Sequence, residues 1–517
     1  MKKHILLISA CFLFTIRTSF AQPGILDCDF DADGKVTTDF NMKADEGRAL
    51  AIQTDQKIMV AGISYNGTDN DFALVRYNID GTLDHSFGDN GKVVTDINNN
   101  DFAHAVEIQP DGKIVVAGHT YPGANYDITL VRYNTDGALD NSFSDDGIVF
   151  INVGNEDQCH SIALQEDGKI IAAGFHNNGT DKDFTVVRFT SAGSLDESFG
   201  DHGIVTTAIG AADETAESVV IQPDGKIILA GYFDNGSDND IALVRYNPDG
   251  EPDNSFGENG IVETPVGSSG DVAKTVALQS DGKIVVAGYY DNGLDRDVAI
   301  LRYNTNGTPD NSFGTGGIET LPAGEGVDYT EGLALQPDDK ILVTGYTFNG
   351  TNYDLFLLRC NSDGTPDNTF GEDGIVFTTF GSSNDYGKEV AIQNNGRIVV
   401  AGFTYNGENN DVAVARYLSG LNLGTVNFSE QINTPLIFPN PLRNETTLKY
   451  ELLTIETITI KLYDMQGSLV ETFLSQERRS AGPHEEIITI VNTIPTGCYL
   501  LVISNGSGKQ GIRINVL

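Results

Sequence analysis

Asp111-Gly112-Lys113-Ile114-Val115-Val116-Ala117-Gly118 leads through a loop to Leu130-Val131-Arg132-Tyr133-Asn134, and then to Leu139-Asp140-Asn141-Ser142-Phe143. The phrase returns along the chain, with its Arg at Arg76, Arg132, Arg188, Arg245, Arg302, Arg359 and Arg416, in steps of 56 or 57 residues. The Gly that closes the Val-Val-Ala-Gly segment keeps the same step: Gly62, Gly118, Gly174, Gly231, Gly288, Gly345 and Gly402. A fixed period of this length is the mark of a repeat architecture, in which no unit buries its own faces and neighbours must stack.

Each copy holds four short segments rich in Val, Ile, Thr and Tyr. In the second copy they are 92–96, 103–109, 113–119 and 127–134, and the breaks carry turn chemistry such as Pro110-Asp111-Gly112. Seven such sheets packed radially predict an all-β, seven-bladed β-propeller over residues 25–420. The ends of the array support closure. Leu-Asp-x-x-Phe or Pro-Asp-x-x-Phe follows each copy up to Pro366–Phe370 but is missing after the seventh, which ends at Tyr417-Leu418. The absent phrase stands at the other end, as Leu26-Asp27-Cys28-Asp29-Phe30, so both termini are expected to supply one junction.

These repeats resemble the delta-60 repeat family of bacterial surface proteins, a likeness that implies a propeller-like fold and names no ligand. Residues 437–517 follow a different pattern: Phe438-Pro439-Asn440-Pro441, Leu462-Tyr463-Asp464 with Gly467, Leu469 and Val470, and Pro495-Thr496-Gly497-Cys498-Tyr499. Alternating strands between Gly, Pro and Asn turns predict a small β-sandwich. The segment resembles the type A C-terminal sorting domain of the type 9 secretion system of Bacteroidota. That resemblance implies recognition of residues 437–517 by the outer-membrane translocon, then release or surface attachment. Residues 421–436 read as a linker.

At the N-terminus Lys2 and Lys3 precede an apolar run from Ile5 to Ile16, and Ser19-Phe20-Ala21 offers small residues for cleavage, so residues 1–21 read as a secretory signal peptide. Ile8-Ser9-Ala10-Cys11 has the look of a lipobox, but the apolar run continues past Cys11. The 517 residues carry 73 acidic against 32 basic side chains, a formal charge of −41. Such a surface repels phosphate backbones, so nucleic acid is not an expected partner. No apolar run after residue 20 reaches the ~18 residues of a membrane helix. Cys28, Cys159, Cys360 and Cys498 are too scattered for a disulfide framework or a zinc site, and Cys360, at a Tyr or Phe position of other copies, reads as a buried spectator thiol.

Candidate chemistry is sparse. The repeated Arg and the Asp five residues before it, as in Asp71 and Arg76, occur in every copy and therefore read as structural; on a strand they face opposite sides, so each is expected to bond elsewhere. The turn cation (Lys57, Lys113, Lys169, Lys226, Lys283, Lys340, Arg397) also recurs seven times. Asp29, Asp31 and Asp33 match the first half of a calcium loop, although Phe40 stands where its bidentate Glu would be, making calcium the one cofactor considered. His104 and His160 occupy a position filled elsewhere by Arg48, Glu217, Lys274, Glu331 and Lys388, always polar but varying in charge, which suits a rim or channel lining. Acidic loops such as Asn66-Gly67-Thr68-Asp69-Asn70-Asp71 are expected to offer weak contacts that sum over blades. Catalytic motifs of hydrolases, zincins and phosphate-binding loops are absent from the sequence. The leading expectation is a secreted or surface-displayed, non-enzymatic binding or structural propeller with an unknown surface or extracellular ligand; the competing one is a propeller hydrolase or lyase acting on polysaccharide.

Overall fold

The computed structural model describes residues 23–420, 432–438, 445–452, 455–464, 469–489, 497–505 and 508–516. The expected signal peptide and most of the linker lie outside them. Residues 35–417 form seven four-stranded antiparallel sheets, as the repeat predicts. In the first blade the strands run, from the axis outward, Asp45–Ile52, Ile58–Tyr65, Asn70–Tyr77 and Lys92–Thr95. Second and third strands are buried on both faces, which explains their unbroken apolar runs.

One expectation is corrected here. The repeat places segment 92–96 in the second copy, yet Lys92–Thr95 pairs with Asn70–Tyr77 as the outer strand of the first blade. Repeat and blade are therefore out of phase by one strand. Periodicity alone cannot locate that boundary, because any cyclic permutation of the unit has the same period. The offset produces the closure: Lys35–Thr38 pairs antiparallel with Asn410–Tyr417 and completes the seventh blade. Leu26 bridges Tyr417, and Arg416 Nε donates to Asp27 Oδ2 (2.9 Å) while its guanidinium lies 4.8 Å from the ring centre of the buried Phe30.

The same clamp recurs at every junction. Arg76 Nε donates to Asp84 Oδ2 (2.7 Å), Lys57 Nζ donates to the same oxygen (2.9 Å), and Arg76 Nη1 reaches the Thr135 carbonyl in the next blade. Burial alone would raise the Asp84 carboxyl; hydrogen bonds from Ser86 and Lys57 and the charge of Arg76 instead hold it well below the usual carboxylate range. The repeated Arg and turn cation are thus one structural device, and Asp71 takes no part in it: its Oδ2 accepts from Asn66.

The C-terminal residues form a three-stranded and a four-stranded sheet that share a core of Leu448, Tyr450, Ile458, Ile460, Ile488, Leu501 and Ile503, the expected sandwich. Its first strand, Ile432–Phe438, begins inside the segment read as a linker over 421–436. A register shift between Asn433 and Leu436, where Pro435 offers no N–H, breaks the alternation that would have revealed it.

Candidate functional site

The inner strand of each blade contains one β-bulge, and the bulged residue is always the variable polar position. Ladder pairing skips Arg48 between Gly47 and Ala49, His104 between Ala103 and Ala105, His160 between Cys159 and Ser161, and likewise Glu217, Lys274, Glu331 and Lys388. An extra residue in one strand leaves the ladder and re-aims its side chain. Here all seven line an axial cavity of about 710 Å³. The invariant Gly stands opposite: a Cβ on Gly118 would lie 1.8 Å from the Phe102 carbonyl oxygen, and on Gly62 1.8 Å from that of Glu46. The channel reading of this position holds; the bulge that creates it is invisible to sequence because it is defined by pairing.

From His160 to Lys388 the ring pairs acids with bases, while Arg48 pairs with Glu46 of its own strand. Glu217 Oε2 lies 2.8 Å from Lys274 Nζ and 3.5 Å from His160 Nδ1, Lys388 Nζ donates to Glu331 Oε1 (2.5 Å), and Arg48 pairs with Glu46 (2.9 Å). Burial pushes His104 and His119 well below the usual histidine range, with Arg48 adding to the effect, so both imidazoles are neutral. His160 is also lowered by burial, against the opposing pull of Glu217. Glu107 and Glu389 add two carboxyls to the wall, pushed up by burial to about 7 and about 8.

Above this ring, on the face that carries the hairpins between second and third strands, lie two groups of aromatic side chains. In blades five to seven, Tyr329 stacks on Tyr346 (4.9 Å between ring centres), Tyr386 on Phe403 (4.5 Å), and Tyr289 and Tyr353 meet Tyr329 and Tyr346 edge-on. Arg296 lies over Tyr289 and Tyr329, and Lys388 over Tyr346. In blades two and three, His119 contacts His104 (4.9 Å), Phe102 and Tyr126, and His104 contacts His160 (5.6 Å). Sequence reading missed these groups. Their signal was present: the residue after the repeat Gly is His119, Phe175, Tyr232, Tyr289, Tyr346 and Phe403 in six copies and Ile63 in the first.

At the calcium candidate of the sequence, the Asp29 backbone N–H donates to Asp27 Oδ1, Asp33 Oδ1 accepts from the Lys35 amide, and the Asp31 amide bonds to the Asp80 carbonyl. Among the described residues, the acidic triads close enough to share an ion are Asp39, Asp45 and Asp411, and Asp71, Asp96 and Asp101. The acidic hairpin phrase is occupied with its own fold: Asn66 Nδ2 donates to Asp69 and Asp71 while its Oδ1 accepts from the Thr68 amide, and Asn235 repeats this with Asp238, Asp240 and Ser237. Cys159 and Cys360 are buried free thiols, and burial raises both.

Residues 53–87, 109–143, 165–199, 222–256, 279–313, 336–370 and 393–423 match the family described as a domain of unknown function (DUF5122) β-propeller, and residues 436–516 match the secretion system C-terminal sorting domain. The chain is a seven-repeat propeller of this family with a type 9 sorting domain. The sorting domain assigns this propeller to type 9 export, to the cell surface or the extracellular space. No curated protein matches the chain. Similar solved structures include virginiamycin B lyase from Staphylococcus aureus with quinupristin (12% identity, 74% of this chain and 98% of that one, TM-score 0.43). An ulvan lyase of polysaccharide lyase family 25 gives 14%, 74%, 96% and 0.42, and Sqt1 from Chaetomium thermophilum bound to the N-terminus of ribosomal protein L10 gives 12%, 85%, 89% and 0.40. The likeness concerns the fold. Among the described residues no helix is long and apolar enough to cross a membrane.

Proposed function

We propose that this DUF5122 propeller is an extracellular carbohydrate-binding module whose ligand rests at the channel mouth of blades five to seven. One observation carries the reading: Tyr289, Tyr329, Tyr346, Tyr353 and Tyr386 are only half-buried and form a continuous aromatic surface directly above charged side chains. Ring faces of this kind stack on the apolar face of a sugar, and Arg296, Lys388 and Glu331 stand ready to bond its hydroxyls. The repeated hairpins, whose polar groups are internally satisfied, contribute shape more than contacts.

The secreted chain applied to an array of neutral and acidic polysaccharides is expected to retain a subset, and Tyr329→Ala with Tyr346→Ala is expected to lose it while the ring stays folded. No retention on any polysaccharide, or retention unchanged by the pair of substitutions, overturns the reading.

A polysaccharide-cleaving enzyme is the second reading, favoured by the buried, neutral His119, whose Nδ1 has no hydrogen-bond partner and whose ring meets that of Tyr126 edge-on (5.0 Å between ring centres). Release of shortened or unsaturated sugar from a bound polysaccharide, abolished by His119→Ala, would favour it over simple binding.

A further inference from the structure

Two neighbouring blade junctions share an arrangement that the other five lack. Where the chain turns from an outer strand into the next inner strand, the repeat places Asn152, Ala208, Pro265, Pro322 and Thr379 at five junctions, but Asp39 and Asp96 at the remaining two. Asp39 there meets Asp45, the first residue of an inner strand, and Asp411, from the third strand of the preceding blade. Asp96 meets Asp101 and Asp71 in the same way. Within each triad every residue offers an oxygen less than 4.8 Å from those of the other two.

Three carboxylates this close repel one another, so the structure should show what balances them. Asp45 is wholly buried, Asp71 is 3% exposed and Asp411 is 8% exposed. Oδ2 of Asp71 and Asp411 accepts from Asn66 and Asn406, whereas Oδ1 of both accepts no hydrogen bond; Asp45 Oδ2 accepts from the Phe40 amide, and Asp101 Oδ1 from Thr120 Oγ1. No Lys, Arg or His of the described residues forms an ion pair with any member of either triad; the turn cations are all committed to the junction Asp clamp. The third junction provides the contrast. Asn152 replaces the third carboxylate, and its amide donates to Asp127 Oδ1 (2.8 Å), satisfying the oxygen that is free in Asp71 and Asp411.

From this geometry we infer that the triads Asp39–Asp45–Asp411 and Asp71–Asp96–Asp101 are two calcium sites that tie blade seven to blade one and blade one to blade two. Oxygen-only ligands, a high local negative charge and the solvent exposure of Asp39 and Asp96 suit a hard cation of flexible coordination number. Each ion joins side chains of two adjacent sheets, and one of them sits at the junction where the N-terminal strand closes the ring. An affinity of about 10⁻⁴–10⁻³ M, as in other extracellular calcium modules, would leave each site about half to nine-tenths occupied at about 1 mM calcium.

Equilibrium dialysis of the secreted chain against millimolar calcium is the test. Asp39→Asn and Asp96→Asn change the most exposed member of each triad; each is expected to lower the number of bound ions by one, and together by two. Asp31→Asn is expected to change nothing. Calcium should raise the melting temperature of the unsubstituted chain and leave that of the double variant unmoved. Should a variant fail to fold, hydrogen exchange of the unsubstituted chain decides: calcium should protect residues 39–45 and 96–101 and leave 208–214 unchanged. Equal calcium binding with and without the two substitutions, or equal protection at 208–214, overturns the inference.

Discussion

Tyr77 Oη lies 2.7 Å from Thr38 Oγ1, a buried bond between the third strand of blade one and the outer strand of blade seven. The pair repeats as Tyr133 with Thr95, Tyr246 with Thr207, Tyr303 with Thr264 and Tyr417 with Thr378. In the two remaining blades both partners change together: Phe189 faces Ile151 and Cys360 faces Leu321, each pair within one apolar cluster. The Cys at a Tyr position is thus half of a matched apolar replacement, which is why the thiol is a bystander.

That co-variation sets up a double-mutant cycle. Tyr303→Phe or Thr264→Val alone leaves a buried hydroxyl unpaired and is expected to cost about 1–3 kcal/mol. Combining them should cost less than the sum, because the product is the kind of pair that blade three already uses. Denaturant unfolding of the four proteins checks it; strict additivity would contradict the bond.

Asp27 is predicted to matter as much as its internal counterparts. It is 3% exposed and pairs with both Arg416 and Arg397 across the closure, so Asp27→Ala should destabilise by about 3–5 kcal/mol, like Asp140→Ala at an internal junction. Thermal melts of the two variants should agree. A much smaller effect at Asp27 would mean that the N-terminal segment is dispensable for the ring.

Channel acidity should shape the pH profile. Glu389 and Glu107 hold protons in the folded state up to about pH 8 and 7, while the unfolded chain releases them near the ordinary glutamate value of 4.5. The folded state therefore binds more protons between these limits, and stability falls as pH rises through that window. Melting temperatures at pH 5 and pH 8.5 should differ less in the Glu107→Gln, Glu389→Gln double variant than in the parent. The junction aspartates respond in the opposite sense and only in strong acid, since their carboxyls are lowered.

Passage across the outer membrane should depend on the C-terminal domain. A chain lacking residues 437–517 is expected to accumulate in the periplasm with its ring folded, as fractionation and limited proteolysis would show. Efficient release of the shortened chain would contradict the assignment.

Sequence and structure agree where the repeat constrains both. The seven copies, the junction phrase split between the termini and the polar channel position are all periodic, so a single chain displays them. What remained hidden is set by pairing between distant residues. The blade boundary at Lys92–Thr95 depends on which neighbour a strand chooses, and the Tyr329–Tyr346 surface spans two strands whose register no period reveals. The Asp39 and Asp96 triads escaped because their third member departs from the repeat at only two copies, and because Asp411 lies at the opposite end of the domain from Asp45.

The one-strand offset between copy and blade has a further consequence for how such rings can vary. However many whole copies the chain held, the first would still begin with an orphan outer strand and the last would still end one strand short, so the two ends would always complement. The latch does not count. Blade number must instead be fixed by the wedge angle at which neighbouring sheets meet, and a gained or lost copy would change the width of the bore and the circumference of its mouth without costing the molecule its means of closing.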